Sequence, residues 1–479
     1  MKYIWIVGIL LFCNSAVLLA QDGGESWSLQ RCIDYAYQNS LQVQQANLAV
    51  QQAKLGQKQA YWAQFPTANA SFRHGFNFGR SIDVTSYSYV NQVTQSSSLG
   101  LNLNQPIFQG LQIRNGIIQS KVDVAAAQKD VEQTRNDISL QVAQIYLSIL
   151  LAKESVQVLT EQAKVTTAQL EQTKKLIDAG VVADNSKYDL IAQTARDQEN
   201  IVNAQNSLQL AFVNLKTLMN LDVSESIDIE PIQDFEVDEV TNLATLEAVY
   251  EQAVNTQPNI AASKLRENSA KIGVDIAKGG LYPSINLYGG LQTNFSGASR
   301  SFDGVDSSYF PVGGAVIATQ DPVLVQIPNF QARRGDVIPY FSQLGDNISG
   351  NVGINISVPI FNGMRTRISI QRAELAVKSA ELATKQQEVA LKGNIDRALN
   401  DVKAAAERYK AAKNTVTATR MSVQNTRKRF DLGVVNSFEL TSVQNILISS
   451  ESNLLQAKYD YLFKLKILDF YKGTAITIE

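Results

Sequence analysis

The hydrophobic positions of the chain follow a helical period and a strand period in turn. Residues 27–62 repeat apolar positions every three or four residues, which predicts a helix. After residue 66 apolar residues alternate with Asn, Ser and Gly up to about residue 106, which predicts a pair of strands. A long helical period without proline runs from about residue 113 to residue 179. A glycine turn and a shorter helix over residues 184–220 complete the series.

The same series occurs a second time. The helix that stops at Pro66 matches a helix that stops at Pro283, at an offset of 217 residues. The motif Pro-Ile-Phe-Gln-Gly, which begins at Pro106, returns as Pro-Ile-Phe-Asn-Gly from Pro359, at an offset of 253. Proline disfavours helix in the residue before it, so we expect these four prolines to mark junctions between strands and helices.

A glycine turn follows each of the two long helices. Gly180-Val181 follows the first, and Gly433-Val434 follows the second, again at an offset of 253. Glycine is favoured after a helix because the residue there often adopts a left-handed conformation. Matches in the same order along the chain predict an internal duplication, the signature of a repeat architecture.

These boundaries divide the chain into five parts. We predict a signal peptide at residues 1–20, a first repeat at 21–221, a linker or equatorial segment at 222–245, a second repeat at 246–472 and a tail at 473–479. The strand pairs are predicted at 66–106 and 283–359, the long helices at 107–179 and 360–432, the final helices at 184–220 and 436–471, and a loop at 297–345. Such a long insert, rich in Gly, Ser and Asp, is expected to be a surface excursion.

The N-terminus has the form of a secretory signal. Lys2 precedes an apolar run, and Ala20 provides a small residue at the cleavage position. Asn14 and Ser15 interrupt the run, which disfavours a membrane anchor, since a spanning helix needs about 20 apolar residues. Beyond this segment we expect no membrane-spanning helix. Cys32 is then the single cysteine of the mature chain and is expected to be an ordinary packed residue.

The four predicted strands alternate apolar residues with Asn, Ser and Gly. This pattern is typical of a transmembrane β-barrel, in which one side of the wall faces lipid and the other faces a wet lumen. A soluble antiparallel sandwich has the same alternation and is the alternative. A closed barrel needs about eight strands at least, and open edges are not tolerated in lipid. The chain is therefore expected to associate, with two copies giving about eight strands or three giving about twelve.

The two long helices cannot belong to one compact core. Roughly 70 residues at about 1.5 Å each give a rod on the order of 100 Å. The helix at residues 436–471 carries two apolar seams. One begins at Leu440 and proceeds in steps of three and four, and the other repeats every seven residues from Ile448 to Leu462. Two seams require two neighbours and predict a cylinder of helices, whereas an isolated coiled-coil dimer, the alternative, needs only one.

Composition argues against several classes of function. The net charge is −2 and the chain has no run of five basic residues, which argues against a nucleic-acid partner. The chain has one histidine, His74, and it lacks a Cys/His cluster and a phosphate-binding glycine loop. We therefore expect neither an enzyme nor a cofactor or metal site, and energy for any transport would come from partners.

The duplicated helix, the proline-bounded strand pair, the Pro-Ile-Phe-x-Gly motif and the Gly-Val-Val turn resemble the TolC-like outer-membrane efflux proteins. The resemblance covers essentially the whole mature chain. It implies a protein that is mainly α with membrane β, a homotrimer whose twelve-stranded β-barrel continues as a long α-helical barrel. It also implies a passive exit duct in the outer membrane, with its helices in the periplasm. The implied partners are a periplasmic adaptor and an inner-membrane pump or ABC transporter.

A non-pore coiled-coil scaffold or adhesive protein of the cell envelope is the rival interpretation. For a duct, the cargo could be a drug, a metal, a siderophore or a polypeptide, since a wide wet tube is generic. By resemblance, Gly180, Val181, Gly433 and Val434 are expected at the periplasmic hairpin tips, where the adaptor makes contact.

The resemblance also points to an entrance near the second turn. Where the family has a tyrosine, an arginine and two acidic residues, this chain has Phe430, Val435, Glu439 and Ser442. Phe430 and Val435 therefore suggest an apolar constriction in place of a salt-linked latch. Glu439 and its counterpart Asp189 either form acidic rings that favour cations or are solvated acids in the first turn of a helix, where the helix dipole favours them.

Overall fold

The computed structural model describes residues 26–82, 89–91, 93–231, 244–313 and 324–474 of the 479-residue chain. The predicted signal peptide lies outside the described residues, as do most of the predicted linker and the end of the tail.

The described chain forms two compact units. Residues 54–122 and 268–379 form one unit, which we call the strand unit. The remaining residues form the other, which we call the helical unit.

Groups of helices and groups of strands follow one another along the described chain. The first half contains β1 (Ser26–Trp27), α1 (Leu29–Asn39), α2 (Leu41–Trp62), β2 (Thr67–Asn77), β3 (Arg80–Ile82), β4 (Tyr89–Asn91), β5 (Thr94–Gln109), α3 (Gln112–Asp178), α4 (Ser186–Met219) and β6 (Asp228–Ile229). The second half contains α5 (Leu246–Thr256), α6 (Pro258–Gly279), β7 (Ser284–Ser296), β8 (Arg300–Gly313), β9 (Leu324–Val337), α7 (Tyr340–Asp346), β10 (Ser349–Ser357), α8 (Arg365–Asp431) and α9 (Ser437–Tyr471).

The first helix of each repeat is broken in two. The sequence period predicts one helix over residues 27–62, but Ser40 is extended (ψ 130°) and separates α1 from α2. The equivalent break, 217 residues later, falls at Gln257, which is also extended (φ −74°, ψ 122°). Pro258 explains the second break, because a proline disfavours the helical region for the residue before it.

Four strands form one antiparallel sheet in the order β10-β7-β5-β2. Within the first repeat Ala70 pairs with Leu101, and within the second Leu287 pairs with Ile354. Adding 217 to the number of Ala70 gives Leu287, and adding 253 to the number of Leu101 gives Ile354, so the two pairs are equivalent. The duplication predicted from the sequence is therefore confirmed at the level of strand register.

One face of this sheet is apolar and exposed. Phe72, Leu101, Leu291 and Ile354 all lie on it and are exposed, and Val352 is 79% exposed. A soluble sandwich would bury this face against a second sheet about 10 Å away. No layer of the described residues covers it, so the sandwich alternative is wrong.

The described part of the insert that was predicted as a loop at residues 297–345 has regular structure. Strands β8 and β9 pair as an antiparallel ribbon, and α7 follows them. The buried Gln343 side chain fixes α7 to the end of β7, since its amide donates to the Ser296 carbonyl (3.0 Å) and accepts from the Ser296 N–H (3.0 Å). The loop prediction is wrong because a Gly- and Ser-rich composition does not prevent long-range strand pairing.

The core of the helical unit consists of two apolar clusters. One gathers buried residues of α1, α3 and α9, among them Cys32, Ile138 and Leu462. The other gathers buried residues of α5, α8 and α9, among them Ile395 and Leu468. Helix α9 contributes to both clusters, which agrees with its two predicted seams.

By length and composition α3 is the one helix of the described chain that could cross a membrane, whereas the sequence predicted none. Its apolar residues from Ile138 to Leu150 belong to the core of the helical unit. Within that stretch the Tyr146 hydroxyl donates to the carbonyl oxygens of Trp27 (3.1 Å) and Glu230 (2.8 Å). These contacts are those of a packed protein helix, because lipid offers no such partners.

Candidate functional site

The two long helices end in the same type of glycine turn. In each turn the glycine N–H bonds to the carbonyl three residues back, and the next N–H bonds to the carbonyl five residues back, which is the Schellman motif. Gly180 (φ 71°) and Gly433 (φ 72°) are left-handed, a conformation that favours glycine. The bonds are Gly180 to Ile177 (2.8 Å), Val181 to Leu176 (2.9 Å), Gly433 to Phe430 (2.9 Å) and Val434 to Arg429 (2.9 Å).

The residues predicted at the hairpin tips lie in these turns. Val181 is 70% exposed and Val434 is 65% exposed. The first turn is longer, because α4 begins six residues after Gly180 while α9 begins four residues after Gly433. Each turn therefore presents an apolar side chain beside a glycine.

A hollow of about 960 Å³ lies between the turns, within the helical unit. It brings together three of the predicted entrance residues, Phe430, Val435 and Glu439, with Val181 of the other turn. Phe430 and Val435 are half-buried. Asp189 is exposed in the first turn of α4 and is not among the residues that line the hollow.

Glu439 is paired with a cation that the sequence did not suggest. Val435 stands where the resembling family has an arginine, yet Arg429 Nη1 lies 3.3 Å from Glu439 Oε1. The Arg429 guanidinium comes from the last turn of α8, before Gly433, whereas the family position lies after the glycine. Basic residues are common in the last turn of a helix, and that general preference is the only sequence signal for this pair.

Glu439 is also held by the start of its own helix. The Asn436 side chain caps α9 by accepting the Glu439 backbone N–H (2.9 Å). This cap fixes the first turn, so that the carboxylate lies at the positive end of the helix dipole.

A buried polar layer joins the helices next to the turns. The Gln444 amide of α9 donates to the Gln169 side chain of α3 (3.3 Å). The Gln193 amide of α4 donates to Asp197 (2.7 Å) and to Asn445 of α9 (3.1 Å).

Several buried atoms of this layer have no hydrogen-bond partner among the described residues. They are Gln169 Nε2, Thr173 Oγ1, Asp197 Oδ2 and Thr441 Oγ1. Each such group costs free energy in the folded state, about 1–3 kcal/mol by general experience. The helices are therefore held less firmly here than in the apolar clusters.

The predicted junction prolines lie at or near strand ends. Pro66 and Pro283 directly precede β2 and β7, and Pro359 lies between β10 and α8. Pro106 lies inside β5, which continues to Gln109, so the strand is longer than predicted and the long helix α3 starts later. A bulge between Pro106 and Phe108 explains this difference, because proline has no N–H to pair and is tolerated at bulges.

The outer membrane efflux protein family model matches residues 32–221 and 249–474. The chain belongs to the outer membrane efflux protein family. The two matched segments fall on the two repeats, and the family assignment agrees with the resemblance drawn from the turn and proline motifs.

Two curated relatives are similar to this chain at low sequence identity. The outer membrane protein TolC of Vibrio cholerae is 24% identical over 251 residues, which cover 50% of this chain and 53% of that protein. The outer membrane efflux protein BepC of Brucella suis is 19% identical over 286 residues, 58% of this chain and 50% of that protein. The chain thus spans about half the length of the curated relatives it matches.

Several solved structures share the fold over nearly the whole chain. The Vibrio cholerae outer membrane protein VceC has a TM-score of 0.70 at 17% identity, covering 94% of this chain and 96% of that one. The Campylobacter jejuni CmeC channel has a TM-score of 0.70 at 17% identity, covering 94% and 86%. CusC has a TM-score of 0.72 at 16% identity, covering 94% and 93%. The predicted fold class, mainly α with membrane β in a duplicated protomer, is confirmed.

Proposed function

We propose that the chain is one subunit of a passive exit duct in the outer membrane, with its helical part in the periplasm. A periplasmic adaptor opens the duct, and an inner-membrane pump or ABC transporter supplies the energy. The duct itself carries out no chemistry and needs no cofactor, and the pump selects the cargo.

The observation that carries this proposal is the sheet β10-β7-β5-β2. Its apolar face is exposed, its other face is rich in Asn, Ser and Gly, and no further strand pairs with the outer edges of β2 and β10 among the described residues. Such a sheet suits a barrel wall between lipid and water. Open edges are not tolerated in lipid, so several copies must close the wall.

A homotrimer closes this wall with about twelve strands, four from each copy. The family to which the chain belongs supports three copies over two. The outward apolar side chains, such as Phe72 and Ile354, would then contact outer-membrane lipid.

The two glycine turns serve as the periplasmic entrance in this proposal. Val181 and Val434, beside Gly180 and Gly433, form the apolar tips that the adaptor contacts. The entrance itself is narrowed by an apolar constriction. Phe430 and Val435 form this constriction, with rings of Glu439 and Asp189 nearby.

The decisive experiment measures ion conductance. We expect the purified full-length protein to migrate as a heat-modifiable trimer and to give single-channel conductance in a planar lipid bilayer. A protein that remains helical and oligomeric but forms no pore would instead support the scaffold hypothesis.

The partners are tested in cells. Co-expression with a periplasmic adaptor and an inner-membrane pump should restore efflux in a strain that lacks its own outer-membrane channel. Val434→Asp should abolish this rescue while the protein still forms conducting oligomers in the bilayer, because it adds a charge at the exposed tip and keeps Phe430 and Val435.

A further inference from the structure

The four-stranded sheet β10-β7-β5-β2 carries one charged side chain. Arg73 of β2 is the only Lys, Arg, Asp or Glu residue in these four strands. Successive side chains of a strand point to opposite faces, so Arg73 lies on the face opposite Phe72, which is the polar face. We infer that Arg73 makes the barrel lumen favour anionic solutes. The inference rests on the proposed function, since it names the class of cargo that the barrel favours.

Arg73 stands at one end of a row of uncharged polar residues. It pairs with Ser98 of β5, and Ser98 pairs with Asn294 of β7. Asn347, just before β10, extends the row, because its side-chain amide donates to the Asn294 carbonyl (2.8 Å). Residues directly opposite each other in a sheet share a face. The row therefore offers hydrogen-bonding groups beside Arg73 but no carboxylate that would neutralise it.

A polar hollow of about 510 Å³ lies on the same face of the sheet. Ser98, the strand partner of Arg73, is part of its lining. Most of the other lining residues have amide or hydroxyl side chains, among them Asn102, Gln292 and Asn294. No residue of this lining carries a charge. Amides and hydroxyls can solvate ions of either sign, so they leave the charge preference of this face to Arg73.

The Arg73 guanidinium is not neutralised within the chain. The side chain is exposed, and it has no ion pair or hydrogen bond with any residue that the structure describes. Arg408 of α8, by contrast, pairs with Asp460 of α9 (2.9 Å). The strands of a neighbouring copy could not neutralise Arg73 either, since the four strands contain no Asp or Glu. The charge of Arg73 therefore remains available to a solute.

The neighbours of Arg73 in the sequence lie on the apolar face. The His74 ring is stacked against the Phe72 ring, and its Nδ1 atom lies 2.8 Å from the Ser97 hydroxyl. A charged side chain on the lipid face of a barrel is destabilising, so the alternation along β2 places the guanidinium on the side that tolerates it. The polar face does not need a charge to be wet, because its amide and hydroxyl residues already bind water. We therefore assign Arg73 an effect on the solute.

The charge of Arg73 reaches across the whole lumen. Twelve strands about 4.8 Å apart, tilted by about 40°, close into a wall of about 12 Å radius. Each copy contributes one guanidinium at or inside that radius, so a solute on the axis at this level lies within about 12 Å of every one. The Debye length is about 10 Å at 0.1 M salt. At this ionic strength and below, no path through the lumen avoids the field of Arg73.

Coulomb's law with this screening gives the size of the effect. Three positive charges at about 12 Å, in water with about 0.1 M salt, should raise the ratio of anion to cation permeability about threefold over an uncharged ring. The factor should grow to about tenfold at about 0.01 M salt, where the Debye length is about 30 Å. It should vanish at about 1 M, where that length is about 3 Å. The pump would still select the cargo, and the barrel would favour its anionic members.

Reversal potentials of the full-length protein in planar bilayers test the inference. Arg73→Gln should lower the ratio of anion to cation permeability about threefold near 0.1 M KCl, and Arg73→Glu should lower it further. Arg73→Lys keeps the charge and should keep the ratio. His74→Gln is the matched control, because it changes the next residue, on the other face, and should leave the ratio at the wild-type value.

Salt and an organic anion give two further readouts. The difference between wild type and Arg73→Gln should disappear at about 1 M KCl, because screening then removes the field. A change in the width of the lumen would persist at that concentration. In sodium benzoate, Arg73→Gln should lower the permeability of benzoate relative to Na⁺, which extends the test from chloride to a carboxylate solute.

Two outcomes overturn the inference. One is a wild-type ratio in conducting Arg73→Gln and Arg73→Glu proteins near 0.1 M KCl, which means that the charge lies outside the ion path. The other is a shift that persists at about 1 M KCl or that His74→Gln reproduces, which means a change of pore shape. A wild-type protein without conductance would overturn the proposed function itself, and the anion preference with it.

Discussion

Arg429 Nη1 lies 3.3 Å from Glu439 Oε1, so the last turn of α8 is joined to the first turn of α9 across Gly433. Both side chains are exposed, and such a pair contributes only about 0–1 kcal/mol to stability. We expect the pair to matter for the charge of the entrance, since a ring of Glu439 carboxylates would have an equal number of Arg429 guanidiniums beside it. The charge of the entrance then depends on the balance of these two residues.

Neutralising Glu439 and neutralising Arg429 should shift the ion selectivity in opposite directions. Glu439→Gln removes the carboxylates and should lower the ratio of cation to anion permeability. Arg429→Gln leaves the carboxylates unpaired and should raise it. Reversal potentials across a KCl gradient in planar bilayers measure both effects, with Glu199→Gln, an exposed acid on α4, as the control. Unchanged potentials in both variants would mean that Glu439 is merely a solvated helix-start residue.

The apolar constriction predicts a change in conductance. Phe430 is half-buried and lines the hollow between the turns with Val435. Phe430→Ala removes a large apolar side chain and should raise single-channel conductance, because apolar constrictions limit flow by dewetting. Met421→Ala on the same helix is the control, since Met421 is exposed and does not line the hollow. Equal conductance in the two variants would place the narrowest point elsewhere.

The architecture was predictable because the duplication repeats simple periods. The period of seven in the helices and the period of two in the strands each occur twice, and the offsets of 217 and 253 hold in the strand registers. Local breaks were harder to predict. Ser40 interrupts a helical pattern without any proline, and its equivalence to Gln257 emerges only from the structure.

Long-range pairing was the part that the sequence could not specify. Strands β8 and β9 pair as a ribbon although the composition of this insert, rich in Gly, Ser and Asp, favoured a loop. Arg429 was missed for a related reason. Its partner Glu439 is ten residues away along the chain, and the turn at Gly433 brings the two together.

Cys32 should be unreactive in the folded protein. It is fully buried, and burial raises the pKa of its thiol to about 12, against a small opposing effect of Arg31. The thiolate is the reactive form, so at pH 8 a maleimide should label Cys32 only after denaturation. Val181→Cys, at an exposed position, should label at once under the same conditions. Rapid native labelling of Cys32 would show that the helical unit opens around α1.

Tyr146→Phe should destabilise the helical unit. The change removes the only atom of this side chain that bonds to the Trp27 and Glu230 carbonyls, and it keeps the ring. The Trp27 carbonyl would still accept from the Glu230 N–H (3.1 Å), so the loss is that of ordinary hydrogen bonds, about 0.5–1.5 kcal/mol, and the thermal unfolding midpoint should fall slightly. Tyr61→Phe removes a hydroxyl from an exposed ring and should leave the midpoint unchanged. Equal midpoints for the two variants would mean that water replaces the lost donor.

The polar contact between Gln169 and Gln444 leads to a prediction about the mobility of the two turns. Either single change to leucine leaves the other amide buried and unpaired, and should destabilise the protein by about 1–3 kcal/mol. The double variant replaces the polar contact with an apolar one, so it should recover stability and hold the helices more firmly beside the turns. A double-mutant cycle by chemical denaturation measures this coupling. In cells the double variant should transport less than wild type, while Gln205→Leu, an exposed change on α4, should not. Full transport by a stabilised double variant would mean that opening does not require the polar layer to yield.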